Sequence, residues 1–221
     1  MKNILLTLLV VMAAVSVNAQ EVFRTQTIGG WGSNPKGDNP GAYLAANFDQ
    51  ISGVRSLTGI DGGISIGLGD KSITFTSAEA IQKFLPSSGK SAALEMSYID
   101  PAKQEIRNTF ASQTLALTIS LAFDKAIETF SVSTKYLGDM AVAEGEMAGI
   151  RVEQVLAEAN KALAGQETAY SISTLNATVS KINEAYVDGE IRTAFLTESA
   201  VQTEAVQQQY QLQQAEQLMK F

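Results

Sequence analysis

The chain has 221 residues, with 16 Lys and Arg against 23 Asp and Glu, and contains neither histidine nor cysteine. The lack of histidine excludes a His-based triad or a His-ligated zinc, and the lack of cysteine excludes disulfides, thiolate metal sites and lipid attachment at cysteine. A formal charge of −7, with the basic residues scattered singly, argues against binding to a nucleic-acid backbone.

The first residues, "MKNILLTLLVVMAAVSVNAQ", carry one Lys, an apolar run from Ile4 to Val15 and the small-residue pattern Val17-Asn18-Ala19. This is the pattern of a secretory signal peptide over 1–19, cut after Ala19 to leave Gln20 first. The apolar run is shorter than the roughly 20 residues that span a bilayer, so no membrane span is expected after removal. The predicted location is secreted or cell-surface. About 200 remaining residues can build one apolar core, so one domain over 20–196 is expected.

"EVFRTQTI" (21–28) predicts a first strand running into a turn at Gly29-Gly30. The next stretch, "GGWGSNPKGDNPGAYLAANFD", holds the only tryptophan. Trp31 could stack on a sugar ring while Asn34, Asp38 and Asn39 supply hydrogen bonds, with Tyr43 sharing the site. Equally, Trp31 could pack over the core while the Asn-Pro and Gly-Asp pairs make turns. Residues 51–69 read as short strands and glycine turns, and "KSITFT" as a strand with Ile73 and Phe75 on one face. Thr76 and Glu79 stand in capping-box spacing, which predicts a short helix "SAEAIQKFL" ending before Pro86, with Ala80, Ile81, Phe84 and Leu85 as its stripe.

Over 103–130 the pattern is double: Leu115, Leu117, Ile119, Leu121 and Phe123 alternate as in a strand, while Ile106, Phe110, Leu117 and Leu121 recur at helical spacing. More than twenty residues without Gly or Pro favour one long helix, buried nearly all round at its middle. "RVEQVLAEANKALAG" predicts a helix with Val152, Val155, Leu156, Ala159 and Leu163 on one face, stopping at Gly165. "SISTLNATVSKINEAYVDG" predicts another, with Leu175, Val179, Ile182 and Tyr186, stopping at Asp188-Gly189, and the two are expected to be antiparallel neighbours. From Thr197 to Phe221 the chain is Gln-rich, and Val201, Ala205, Gln208, Leu212, Ala215 and Met219 keep heptad spacing. That tail is expected to be a helix, either laid on the domain or pairing weakly with a second copy.

Chemistry-bearing residues are sparse. Asp38, Asn39, Asp49, Asp61 and Asp70 offer oxygen ligands, but without the spacing of a calcium-binding EF-hand loop. Paired carboxylates (Glu144 with Glu146, Asp61 with Asp70) and Ser87 or Ser88 with Lys90 are the conceivable catalytic sets. "SSGKS" at 87–91 ends like a phosphate-binding loop, yet Phe84 stands where its first glycine belongs, so it reads as a turn. No enzyme activity, cofactor or metal is expected.

Five blocks in order carry a resemblance: "TQTIGGWGSNPKGDNPGAYLAANFD", "ITFTSAEAIQKFLPSSG", "NTFASQTLALTISLAFD", "MAGIRVEQVLAEANKALAG" and "YSISTLNATVSKINEAYVDG". From about Phe23 to Leu196 the chain resembles an uncharacterised module of secreted and cell-surface bacterial proteins that opens with a TQTxGGWG motif. The resemblance implies location, and a role in adhesion or scaffolding, rather than chemistry. Such modules often carry cysteines near the strand before "SAEA" and near the helix-end glycine; this chain has none there.

The expectation is therefore an α+β fold: a helix-rich single domain with a small N-terminal β-sheet and a C-terminal Gln-rich helix over 197–221. Its expected function is that of a non-catalytic secreted or surface module for adhesion or surface assembly. The alternative is an extracellular glycan- or calcium-binding protein using the Trp31 loop. Expected partners are a surface glycan or another surface protein.

Overall fold

The computed structural model of the chain describes residues 22–52 and 62–198. The leader 1–19, Asp61 and the tail seam of Val201, Ala205, Gln208, Leu212, Ala215 and Met219 lie outside them. Among the described residues the fold is α+β and helix-rich. It comprises α1 (Ile28–Trp31), α2 (Pro40–Ser52), β1 (Ile64–Leu68), β2 (Lys71–Phe75), α3 (Ala78–Phe84), β3 (Tyr98–Ile99), α4 (Thr109–Ala126), β4 (Ala141–Val142), α5 (Val152–Leu163), α6 (Ile172–Ala185) and β5 (Leu196–Thr197).

The centre is α4. Every residue from Phe110 to Phe123 except Gln113 is buried, and α1, α2, α5, α6 and β1 all pack against it. A helix enclosed on all sides must dispose of its polar side chains internally. Thr114, Thr118 and Ser120 do so by donating their hydroxyls to the carbonyls of Phe110, Thr114 and Ala116, four residues back, at 2.9, 2.8 and 3.0 Å. The alternating apolar residues of 115–123 thus belong to a helix whose two faces are both covered.

Its N-terminus is closed by the loop after Pro86. Asn108 caps the helix by accepting from Ala111 N–H (3.2 Å) and donates to Ala92 O (2.8 Å). The buried Ser87 hydroxyl donates to Ile106 O and accepts from Asn108 N–H, while Ser112 Oγ accepts from Ser87 N–H and donates to Ser87 O. Thr109 Oγ1 bonds both the N–H and the C=O of Gly89. The "SSGKS" segment is therefore a loop in which Ser87 and Gly89 are bonded to α4 and to the residues just before it.

β1 and β2 form an antiparallel hairpin, and the two-residue β3 adds parallel to β2, giving the order β1-β2-β3. Ile64, Ile66, Ile73 and Phe75 face the core and are fully buried. The sheet lies over residues 64–99, with β1 inside the stretch 51–69 expected to hold short strands and β2 at the expected strand "KSITFT". α3 starts from Ser77, whose Oγ accepts Ala80 N–H at 3.1 Å, not from Thr76. Thr76 instead gives its N–H and hydroxyl to the Asp100 carboxylate, which fixes β2 to the loop after β3.

α5 and α6 pack on each other and on α4, with the expected stripes buried. Gly165 closes α5 at φ +69°, and Ser171 caps α6 through Thr174 N–H (3.0 Å). Leu196 and Thr197 pair with Val142 and Ala141 as β5, so the chain is still extended at Thr197.

α2 was not expected. Asn39 accepts Ala42 N–H at 2.8 Å and Pro40 is the first helical residue, a pairing of cap and preset φ that starts helices. Gly41 then lies under the preceding loop: a Cβ there would stand 1.9 Å from Ser33 O. Gly→Ala inside a helix usually stabilises by about 1 kcal/mol. Here Gly41→Ala is predicted to do the reverse, lowering stability by about 1–3 kcal/mol through forced backbone displacement, as read from urea unfolding.

Candidate functional site

The "TQTIGGWG" segment is where sequence alone placed a site, and its residues turn inward one by one. Thr25 is no longer part of a strand: it makes a single bridge to Val187, receiving Tyr186 N–H on its hydroxyl (3.1 Å) and giving that hydroxyl to Asn183 O (2.9 Å). Thr25 N–H donates to Tyr186 O at 3.0 Å. The buried Gln26 gives its amide to Asp188 Oδ1 (2.8 Å). Thr27 Oγ1 captures Gly30 N–H (3.1 Å), and this cap converts the expected strand and turn into α1. At Gly32 a Cβ would fall 2.5 Å from Leu85 O, so the backbone there touches the loop after α3 directly.

Trp31 has no exposed surface. Its ring lies 5.4 Å from Phe123 and 6.4 Å from Phe130, and its Nε1–H points to Ser120 Oγ at 3.3 Å. The ring offers no open face to a sugar. Tyr43 is half-buried beside it, edge-on to Phe123 at 5.2 Å, with the Arg24 guanidinium 4.9 Å above its ring. Arg24 also lies over Phe130, so this cation closes the aromatic cluster on its solvent side. Asn39 spends its carbonyl on Lys36 and Ala42 N–H and its amide on Asn34 O (2.7 Å). Asp38 is exposed in the same turn, and Asn34 is exposed and lines a surface depression with Gln82, Lys83, Lys103 and Gln104.

The other candidate pairs are separated or engaged. Glu144 faces Lys181 (3.3 Å), while Glu146 accepts from Thr174 Oγ1 (3.0 Å). Ser87 is buried and bonded to Ile106 O. No group of three or more carboxylates able to hold a metal ion occurs among the described residues. Likewise, no described helix is long and apolar enough to cross a membrane.

Two surfaces escaped the sequence. On the outer face of the sheet, Ser65 and Thr74 are hydrogen-bonded across β1 and β2 at 2.9 Å, and Ser72 and Ser97 at 3.1 Å. Ile99, in register with Thr74, stands 74% exposed beside them, and Met96 58% exposed at the margin. Alternation in "KSITFT" predicted that Ser72 and Thr74 face outward; the two residues of β3 are too few to leave a periodic signal. The second surface is the depression that includes Asn34, lined by Pro35, Ala45 and Ala102 as well as by polar side chains. Compared with known families, with curated proteins and with solved structures, the chain gives no match.

Burial raises the phenols of Tyr43, Tyr136 and Tyr186 above their ordinary value, most strongly Tyr136, where Glu153, Asp124 and Asp139 add repulsion. Burial also raises Asp124, against the opposing pull of Ser131 and Leu137 N–H. Above the usual phenol value of about 10 the unfolded chain ionises first, so stability is predicted to fall as pH rises through that value. Tyr136→Phe should flatten the alkaline limb of a stability-versus-pH curve. Trp31→Ala, in turn, is predicted to cost about 3–5 kcal/mol in denaturant melts, the range for deleting a buried large aromatic.

Proposed function

We propose that the protein is a non-catalytic secreted or cell-surface module that acts in adhesion or surface assembly by holding another surface protein. The observation that supports this reading is the outer face of the three-stranded sheet. Its four hydroxyls are hydrogen-bonded in two pairs, Ser65 with Thr74 and Ser72 with Ser97, so a partner that covers them finds part of their hydrogen bonding already met within the protein. Ile99 and Met96 add apolar area in an exposed position, where burial by a partner is favourable. A flat face of this kind suits a protein partner better than a small molecule, which needs a concavity.

The export half of the reading rests on the apolar leader. Val22, three residues beyond the expected cut at Ala19, is already held in the structure, its carbonyl accepting from Val132 and Ser133 N–H. Removal of the leader at that point therefore leaves the whole stitched segment in place.

Two measurements test the proposal. Fractionation of the producing cells should find the protein outside the cytoplasm, starting at Gln20; recovery in the cytoplasm with Met1 retained would refute it. Beads coated with mature protein should adhere to the surface of those cells, and Ile99→Lys with Met96→Lys should reduce adherence about tenfold, a loss of about 1.4 kcal/mol, with unchanged thermal unfolding. Equal adherence of the variant would remove the sheet face from the account.

A further inference from the structure

The second surface carries a binding site of its own chemistry. A depression of about 690 Å³ runs past Asn34, Gln82, Lys83, Lys103 and Gln104, and another of about 400 Å³ continues from Lys103 and Gln104 to Ser88 and Arg107. The two depressions adjoin at Lys103 and Gln104, which line both, and together they flank α3 and the loop docked on α4. Three cations line the pair: Lys83, Lys103 and Arg107. Among the described residues the one carboxylate in its lining is Glu79, which is already paired with Lys83 at 2.7 Å. Glu105, nearby in sequence, turns its carboxylate to Ala102 N–H at 2.9 Å. Lys103 and Arg107 have no carboxylate partner among the described residues.

This is a cationic groove on a chain whose formal charge is −7. Its walls are held by the backbone: Lys103 N–H donates to Lys83 O at 3.3 Å, and Ile106 O is fixed by Ser87. Gln82 is oriented by donating to Gly41 O at 2.9 Å. Between the cations stand the amides Asn34, Gln82 and Gln104, each offering a donor and an acceptor in one plane, as neighbouring sugar hydroxyls require. Depressions this open suit an extended chain lying along the surface, and the acidic remainder of the molecule disfavours duplex nucleic acid, with its two charged strands, more than a single chain with one carboxylate per sugar.

We infer that this groove binds an acidic polysaccharide, a chain of sugars carrying about one carboxylate per residue. Lys103 and Arg107 would take the carboxylates, and the three amides the hydroxyls. The inference deepens the glycan-binding alternative, with Asn34 as its only residue from the opening loop, and is independent of the sheet face.

The test is affinity electrophoresis or chromatography of the mature protein on polygalacturonate, with neutral dextran and poly-glutamate as parallel matrices, at low and at high salt. Retention on polygalacturonate alone is expected, weakening with salt as exposed charge pairs do. The double variant Lys103→Glu/Arg107→Glu should weaken it by roughly two- to thirtyfold, the range for losing two exposed ion pairs. Lys103→Gln/Arg107→Gln should show the same direction, and matched thermal unfolding separates lost binding from lost folding. Full retention of either folded variant would overturn the assignment, as would equal retention on poly-glutamate or no retention on polygalacturonate. The variants leave Ile99 and Met96 untouched, so cell adherence measured on the same proteins separates failure here from failure of the adhesion reading.

Discussion

The packing of Trp31 against α4 is the contact on which the rest of the arrangement depends. It joins the segment that opens the described chain to the most buried helix through Phe123, Phe130 and the Ser120 hydroxyl. From that anchor the chain is fixed in both directions. Upstream, Arg24 covers the aromatic cluster and Thr25 is bonded to the end of α6; downstream, Gly32 rests on Leu85 and Gly41 on Ser33. The opening motif is best understood as a seam that closes the domain, with each residue type explained by what it touches inside. Thr25 satisfies backbone groups at the end of α6, Thr27 starts α1, and Gly32 allows backbone contact with Leu85.

A chain without cysteine must hold its remote parts by other means. The β1-β2 hairpin is tied to α5 by Asn160, whose carbonyl accepts Gly67 N–H at 2.8 Å, and the loop before β3 by Leu94 N–H donating to Leu163 O at 2.7 Å. These hydrogen bonds, one to a side chain and one between backbones, serve as the fastening, each contributing about 1 kcal/mol. The N-terminal stitch between Thr25, Asn183 and Tyr186 works in the same way at the far end of α6.

Long helices with one apolar stripe were legible in the sequence, because periodicity and caps agreed: Ser171 and Gly165 mark ends that the structure keeps. The buried α4 was legible from length alone, since alternation and helical spacing coexist in a helix covered on all sides. Where local signals were read in isolation, the expectation missed. Thr25 and Thr27 look like strand residues, but one is consumed by a single long-range bridge and the other by a cap. Asn39-Pro40 is as good a helix start as a turn, and the apolar Leu44, Phe48 and Ile51 beyond it decide for helix. The groove residues were illegible because Asn34, Lys83 and the pair Lys103 and Arg107 are brought together from three separate segments.

The single tryptophan makes the central claim directly measurable, because all indole fluorescence reports on Trp31. If the opening motif is an internal seam, emission of the folded protein lies well to the blue of free indole. It resists quenching by iodide and does not change when polygalacturonate is added. Red-shifted emission that iodide quenches, or that responds to a sugar, would contradict the account by placing the ring at the surface.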